Sequence, residues 1–272
     1  MVPCMENHAA RLLDLYDQQL RTDAETPGAS SVTLLGPLRL VTFPGGRGFI
    51  TYRDLGGADA RTIERLVPDA LAHYQADAAI TRVEWKTRGH DHAPGLHEAL
   101  LDNGFVAQEP EAIMMGEAHS LASNVPLPDG VTLRQVTAET DVRAMSAMQN
   151  ETFGEPVRPE MADAILRRLA AEDGIELWVA EADGRIVSAG RLDPVAGTDI
   201  AGIWGGATLP AWRGRGIYRA LTAARARSAL RKGKTLIHSD STEYSRPILE
   251  RASLLKVSTT TPYEWRPSSA PR

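Results

Sequence analysis

Apolar residues recur at three- and four-residue spacing around 9–20, across 60–74 (Ile63, Leu66, Leu71) and at 96–101, which predicts three helices in the first half of the chain. Shorter apolar or alternating runs at 38–43, 49–52, 80–85 and from Phe105 predict strands. At 117–130 the periodicity breaks, and Ser, Asn, Pro and Gly gather between two segments that each look foldable; this stretch reads as a linker. The order then recurs more fully. Residues 131–136 read as a strand, 141–152 and 159–171 as helices, and 176–192 as a hairpin turning at Asp183-Gly184, a pair suited to the positive φ of tight hairpins. A strand at 199–209 follows, then a helix over 216–231 with Ile217, Ala220, Leu221, Ala224 and Ser228 on one face. A strand at 235–240, a short helix at 247–252 and a closing strand from near Lys256 complete the pattern.

A chain of 272 residues is long for one α/β domain and comfortable for two. The expected division is 1–118, a linker over 119–130, and 131–272. Both parts end in a similar alternation of strands and helices, so an internal duplication and two unrelated α/β modules are both open readings. With 43% hydrophobic and 24% charged residues the composition is that of an ordinary globular protein. A formal net charge of −5 repels a polyanion, so nucleic acid is not an expected partner and any anion site must be local. The single cysteine, Cys4, excludes an intramolecular disulfide and a multi-cysteine metal site, and it suits a reducing compartment. No apolar run is long enough to span a bilayer, and the start of the chain, with Glu6 and His8, does not read as a secretion signal. The expected location is cytoplasmic, away from membranes.

The segment WGGATLPAWRGRGIYRAL, 204–221, carries a glycine-containing strand into Arg213-Gly214-Arg215-Gly216 and straight on into the amphipathic helix. A helix start leaves amide N–H groups without intrahelical acceptors at the positive end of the helix dipole, so amides from Gly214 to Tyr218 can surround a phosphate. Gly214 and Gly216 tolerate the positive φ such a nest needs, and Arg213, Arg215 and Arg219 attract phosphate oxygens. A Walker loop needs Gly-Lys-Ser or Gly-Lys-Thr, and a dinucleotide fold an early Gly-x-Gly-x-x-Gly with a later acid; neither is present.

At these residues the chain resembles the GNAT superfamily of acyl-CoA-dependent N-acyltransferases. That family's pyrophosphate loop reads Gln or Arg, two residues, Gly, one residue, Gly or Ala, and Arg213, Gly216 and Tyr218 occupy those places. Thr208-Leu209-Pro210 matches the family's entry from its fourth strand, and 235–240, 245–250 and the ending TTPYEW fall where the family has its fifth strand, fourth helix and last strands. The resemblance covers about half the chain. It implies an α/β (α+β) fold of two GNAT-like domains, each a mixed, mostly antiparallel sheet flanked by helices, with splayed central strands in the second. It implies acetyl-CoA, or another acyl-CoA, as co-substrate, its pantetheine arm along Gly205, Gly206, Ala207 and Thr208 and its pyrophosphate on Arg213, Gly214, Arg215, Gly216, Ile217, Tyr218 and Arg219. Two departures stand out. Tyr218 replaces a small residue, which the loop accepts if the ring points away from the phosphate. Leu249 stands where many relatives have the tyrosine that protonates the departing thiolate.

Acyl transfer to an amine needs a neutral amine, a polarised carbonyl and a proton source for the thiolate. Many relatives carry a glutamate in the fourth strand, but 200–207 contains no carboxylate. His238 and Asp240, two apart on a strand and so on one side, are the leading candidates for the base; a core histidine with a turn-capping aspartate is the bland alternative. Glu155, in the loop where the family lines its acceptor pocket, and Tyr244 are further candidates. His90-Asp91-His92 lacks a third metal ligand in reach and reads as a solvated loop, so no metal is expected. The basic run Arg225, Arg227, Arg231, Lys232 and Lys234 suits a helix C-terminus.

In the first half, 49–52 would be the counterpart of the coenzyme strand, but Asp54 and Asp59 follow it where arginines would be needed, so this half is expected not to bind CoA. The reading is a tandem protein with one active site that moves an acetyl group to a primary amine of a small molecule or peptide. A catalytically silent acyl-CoA-binding or regulatory protein is the alternative. Acceptor, acyl chain and oligomeric state are not legible.

Overall fold

The computed structural model describes residues 2–267, with side chains from Asn7 onward, so the Cys4 side chain lies outside the described residues. The chain divides into two compact units: residues up to 113 with those from 257 onward, and residues 114–256.

In the first unit, α1 (Val2–Gln19) buries Leu12 and Tyr16 one turn apart. β1 (Ser31–Leu35), β2 (Leu38–Phe43) and β3 (Arg47–Thr51) form an antiparallel meander. α2 (Ala60–Gln75) then carries the chain to β4 (Arg82–Arg88), which pairs parallel with β3. Ile63, Val67, Ala70, Leu71 and Tyr74 form the buried face of α2, and the Tyr74 hydroxyl donates to the Val41 and Phe49 carbonyls, at 2.9 and 3.0 Å. α3 (Leu96–Asp102), the short β5 (Val106–Ala107) and β6 (Glu111–Glu117) follow, and β6 straddles the division.

The second unit contains α4 (Ala118–Leu121), β7 (Val131–Val136), α5 (Glu139–Phe153), α6 (Pro159–Ala170), β8 (Glu176–Ala182), β9 (Arg185–Pro194), β10 (Ile200–Thr208), α7 (Ile217–Arg231), β11 (Leu236–Ser241) and α8 (Arg246–Arg251). β7, β8, β9 and β10 are antiparallel neighbours in that order, and β11 joins β10 parallel. Alternation along β9 sorts the helices to two faces: Gly190 meets Arg225 of α7, whereas Asp193, on the opposite side, accepts from Arg168 of α6 at 2.8 Å. α7 is rich in buried alanine, so it sits close to the strands on one side and to α4 on the other.

The two units repeat one connection. In each, an antiparallel strand pair (β2–β3, β9–β10) leads through a long helix to a strand parallel with the second of the pair. β12 (Leu255–Trp265) does not follow the expected division. It pairs antiparallel with β4 from Thr260↔Arg88 to Trp265↔Val83, and Tyr263 enters the core of the first unit beside Trp85. The stretch expected as a linker is likewise part of a unit: Ala118 and Leu121 are buried, the Ala118 amide donates to Thr235 O at 2.8 Å, and Arg227 holds the Ser123 carbonyl at 2.8 Å. Among the described residues no helix is long and apolar enough to cross a membrane.

Candidate functional site

β10 and β11 pair only at Ile200↔Leu236, Ala201↔Ile237 and Gly202↔His238. Ser239 Oγ then donates to the Ile203 carbonyl at 3.1 Å, and beyond it the strands part while β10 continues beside β9 to Thr208↔Ser188. β10 takes three steps from Trp204 to Ala207 against two on β9, from Arg191 to Ala189, so it carries a β-bulge, with Gly205 at φ +60°. Of the carbonyls expected along the coenzyme arm, that of Gly205 accepts from Gln149 Nε2 (2.6 Å), Ala207 from Ser188 Oγ (2.8 Å) and Thr208 from Arg213 Nε (3.0 Å).

A single helical turn, Pro210–Trp212, leads from β10 to Arg213-Gly214-Arg215-Gly216. Gly214 (φ +73°) and Gly216 (φ +82°) are both left-handed, as a nest of amides requires. The first bond of α7 runs from the Ala220 amide to Gly216 O, leaving the amides of Ile217, Tyr218 and Arg219 without intrahelical acceptors, and no side chain caps this end. Arg213, Arg215 and Arg219 are exposed, and the Arg215 guanidinium lies 4.9 Å from the centre of the Trp212 ring. Tyr218 turns its ring back onto the strand: a Cβ at Gly206 would lie 2.7 Å from Tyr218 Cε2. The bulky residue thus fills the space that glycine leaves open on β10.

The equivalent places in the first unit are taken. Asp59 Oδ1 caps α2 by accepting from the Thr62 amide at 2.8 Å, and Asp54 accepts from the Gly56 amide at 2.8 Å. β3 and β4 pair as far as Ile50↔Trp85; beyond, Arg21 donates twice to Tyr52 O (3.3 and 3.0 Å), while Arg88 reaches Thr51 Oγ1 (2.9 Å) and pairs with Glu25. His90 and Asp91 are not a solvated loop, because this network draws them in. His90 Nδ1 is 2.6 Å from Ser258 Oγ, its Nε2 3.1 Å from Asp17, and Asp91 accepts from Arg21 at 2.7 Å. Burial works to raise the Asp17 carboxyl, but the His90 hydrogen bond and the Arg21 charge outweigh it and hold it below the ordinary range. Among the described residues no cluster of three metal-ligating side chains occurs.

The structure brings His238 and Asp240 together, with Nε2 3.1 Å from Oδ1, where the strands part. His238 is 4% exposed and meets Trp204 edge to face, ring centres 5.1 Å apart. Glu155 rims an open depression of about 740 Å³ with Glu151, Arg185 and Arg134, and Tyr244 is 82% exposed in the turn before α8. Leu249 is wholly buried.

Two residues escaped sequence reasoning. Gln149 bonds the bulge from a helix stripe that otherwise reads apolar. Arg225, read only as part of a basic run suited to a helix C-terminus, is 1% exposed beneath β9, its guanidinium near Arg191 O (3.3 Å) and Thr222 Oγ1 (3.1 Å). Burial lowers its pKa, opposed by the neighbouring Tyr218 hydroxyl. Elsewhere in the basic run, Lys232 pairs with Glu176 at 3.2 Å, and Lys234 donates to the Val195 and Thr198 carbonyls, both at 2.6 Å.

No curated protein matches the chain. Among solved structures, a GCN5-related N-acetyltransferase from Kribbella flavida is 17% identical, with 96% of each chain covered and a TM-score of 0.66. A tandem GNAT protein from the clavulanic acid biosynthesis pathway is 13% identical over 96% of this chain and 97% of that one, with a TM-score of 0.59. A functionally unknown protein from Staphylococcus epidermidis ATCC 12228 is 11% identical over 91% and 98%, with a TM-score of 0.66. These similarities establish the fold. Residues 142–251 match the Acetyltransferase (GNAT) family, a span that runs from α5 through the bulged strand and the glycine-arginine turn to the end of α8, and this segment is a GNAT-family domain.

Proposed function

We propose that this protein is a cytoplasmic N-acyltransferase that moves an acetyl or other short acyl group from acyl-CoA to a primary amine of a small molecule or peptide, at one site in the second unit. The observation that carries this reading is the coincidence of parted strands with an uncapped helix start at the same end of β10. The diphosphate would sit on the amides from Gly214 to Arg219, with Arg213 and Arg215 adding charge. His238, held by Asp240 at 3.1 Å, would take the amine proton. As the C–N bond forms and the C–S bond breaks, the thiolate leaves and takes a proton from solvent, because the buried Leu249 cannot supply one. The first unit would not take CoA, since Asp59 and Arg21 already hold the corresponding donors and acceptors.

Incubation with acetyl-CoA, a thiol reagent and a panel of amines should release free CoA. Arg213→Ala with Arg215→Ala should weaken CoA binding on either reading, and an unchanged affinity would refute the phosphate assignment. Leu249 and the absence of a carboxylate in 200–207 favour a second reading, a silent acyl-CoA-binding protein, which tight CoA binding without release from any amine would support.

A further inference from the structure

Val142, Met145 and Gln149 occupy one stripe of α5, at spacings of three and four, and the first two are core residues. Gln149 is 7% exposed, and a buried amide without partners costs on the order of 1–3 kcal/mol. Its Nε2 instead donates at 2.6 Å to the Gly205 carbonyl, in the middle of the bulge. Gly205 matches it in two ways: its φ of +60° disfavours other residues, and a Cβ there would lie 2.9 Å from Gln149 Nε2. The extra residue of a bulge is the least constrained point of a ladder. Here a helix side chain, and not a neighbouring strand, fixes it. Because the peptide is planar and trans, holding the Gly205 carbonyl also fixes the direction of the Gly206 N–H.

We infer that Gln149 is a positioning residue for acyl transfer, locking the Gly205–Gly206 peptide in the orientation in which β10 presents its main chain to the thioester. This rests on the acyltransferase reading and adds to it a residue outside both the phosphate loop and the His238–Asp240 pair. Coenzyme affinity comes mainly from the 213–219 turn, so loss of the Gln149 bond acts on turnover. A displaced reacting group costs up to about a hundredfold.

The test compares Gln149→Met, of similar length and apolar, with Gln149→Glu, whose carboxylate cannot donate. Both should lower kcat by about tenfold or more, with KM for acetyl-CoA within about twofold of the parent. The infrared carbonyl band of bound acetyl-CoA, ¹³C-labelled at the thioester carbon, should differ from the parent in both variants. This readout needs no acceptor and no turnover. Parent-like kcat together with an unmoved band in Gln149→Met overturns the inference. If Gln149→Met fails to fold, Gln149→Glu decides by the same two measurements. A parent protein that binds acetyl-CoA but acylates no amine defeats the acyltransferase reading, while the band still tests Gln149.

Discussion

Replacing Gly206 by alanine isolates the fit between Tyr218 and the coenzyme strand. The new methyl carbon would lie 2.7 Å from Tyr218 Cε2, 3.1 Å from its hydroxyl oxygen and 3.3 Å from Cζ. Carbon atoms prefer about 3.5–4.0 Å, so the ring must retreat by about 1 Å. Overpacking of this kind costs about 1–3 kcal/mol. Tyr218 belongs to the first turn of α7, whose amides form the proposed phosphate site, so displacement of its ring carries over to that turn. A loss of about 1.4 kcal/mol in binding is a tenfold rise in Kd for CoA. Calorimetric titration of CoA into Gly206→Ala, Tyr218→Ala and the double variant measures the coupling. Gly206→Ala should bind about tenfold more weakly, and Tyr218→Ala in the same chain should restore most of the loss. Equal affinities for parent and Gly206→Ala would refute the reasoning, as would a double variant no better than Gly206→Ala.

Asp240→Asn should lower kcat by about a hundredfold at neutral pH with little change in CoA affinity, read from initial rates and calorimetry. The lowered pKa of Asp17 stabilises the native state fully above about pH 4, its unfolded value, and that contribution is lost as pH falls through the native value; acid unfolding followed by circular dichroism should therefore be less steep in Asp17→Asn. Arg225 is buried without a carboxylate among its hydrogen-bonding partners, so Arg225→Met should change stability by less than about 1.5 kcal/mol in thermal unfolding, and a loss above about 3 kcal/mol would mean that its bonds matter more than its burial.

The glycine-arginine turn, the Asp183-Gly184 hairpin and α7 were legible because local chemistry dictates them: positive φ, a helix start and a periodic apolar face. β1 was not, because its polar-apolar alternation runs over only Ser31 to Leu34, and Val32 and Leu34 face outward instead of into a core. β12 was recognised as a strand, but its partner lies about 170 residues earlier in sequence, and periodicity carries no information about pairing at that distance. The same limit hid the site's supports. The parity of His238 and Asp240 on a strand put them on one side, whereas Gln149 is one polar residue on a helix until β10 is folded beneath it. His90 and Asp91 look solvated in sequence because Arg21, which draws them in, is some 70 residues away.

The pairing of β12 with β4 sets a timetable for biosynthesis. Although the first unit is translated first, its sheet waits for residues 257–265, which leave the ribosome after every strand of the second unit. A plasmid cut at the apparent boundary near 118–130 would deprive the early product of an interior strand and leave the late product carrying one with exposed hydrogen-bonding edges, prone to stick to its copies. The gene is therefore indivisible at the point where its sequence most invites a cut.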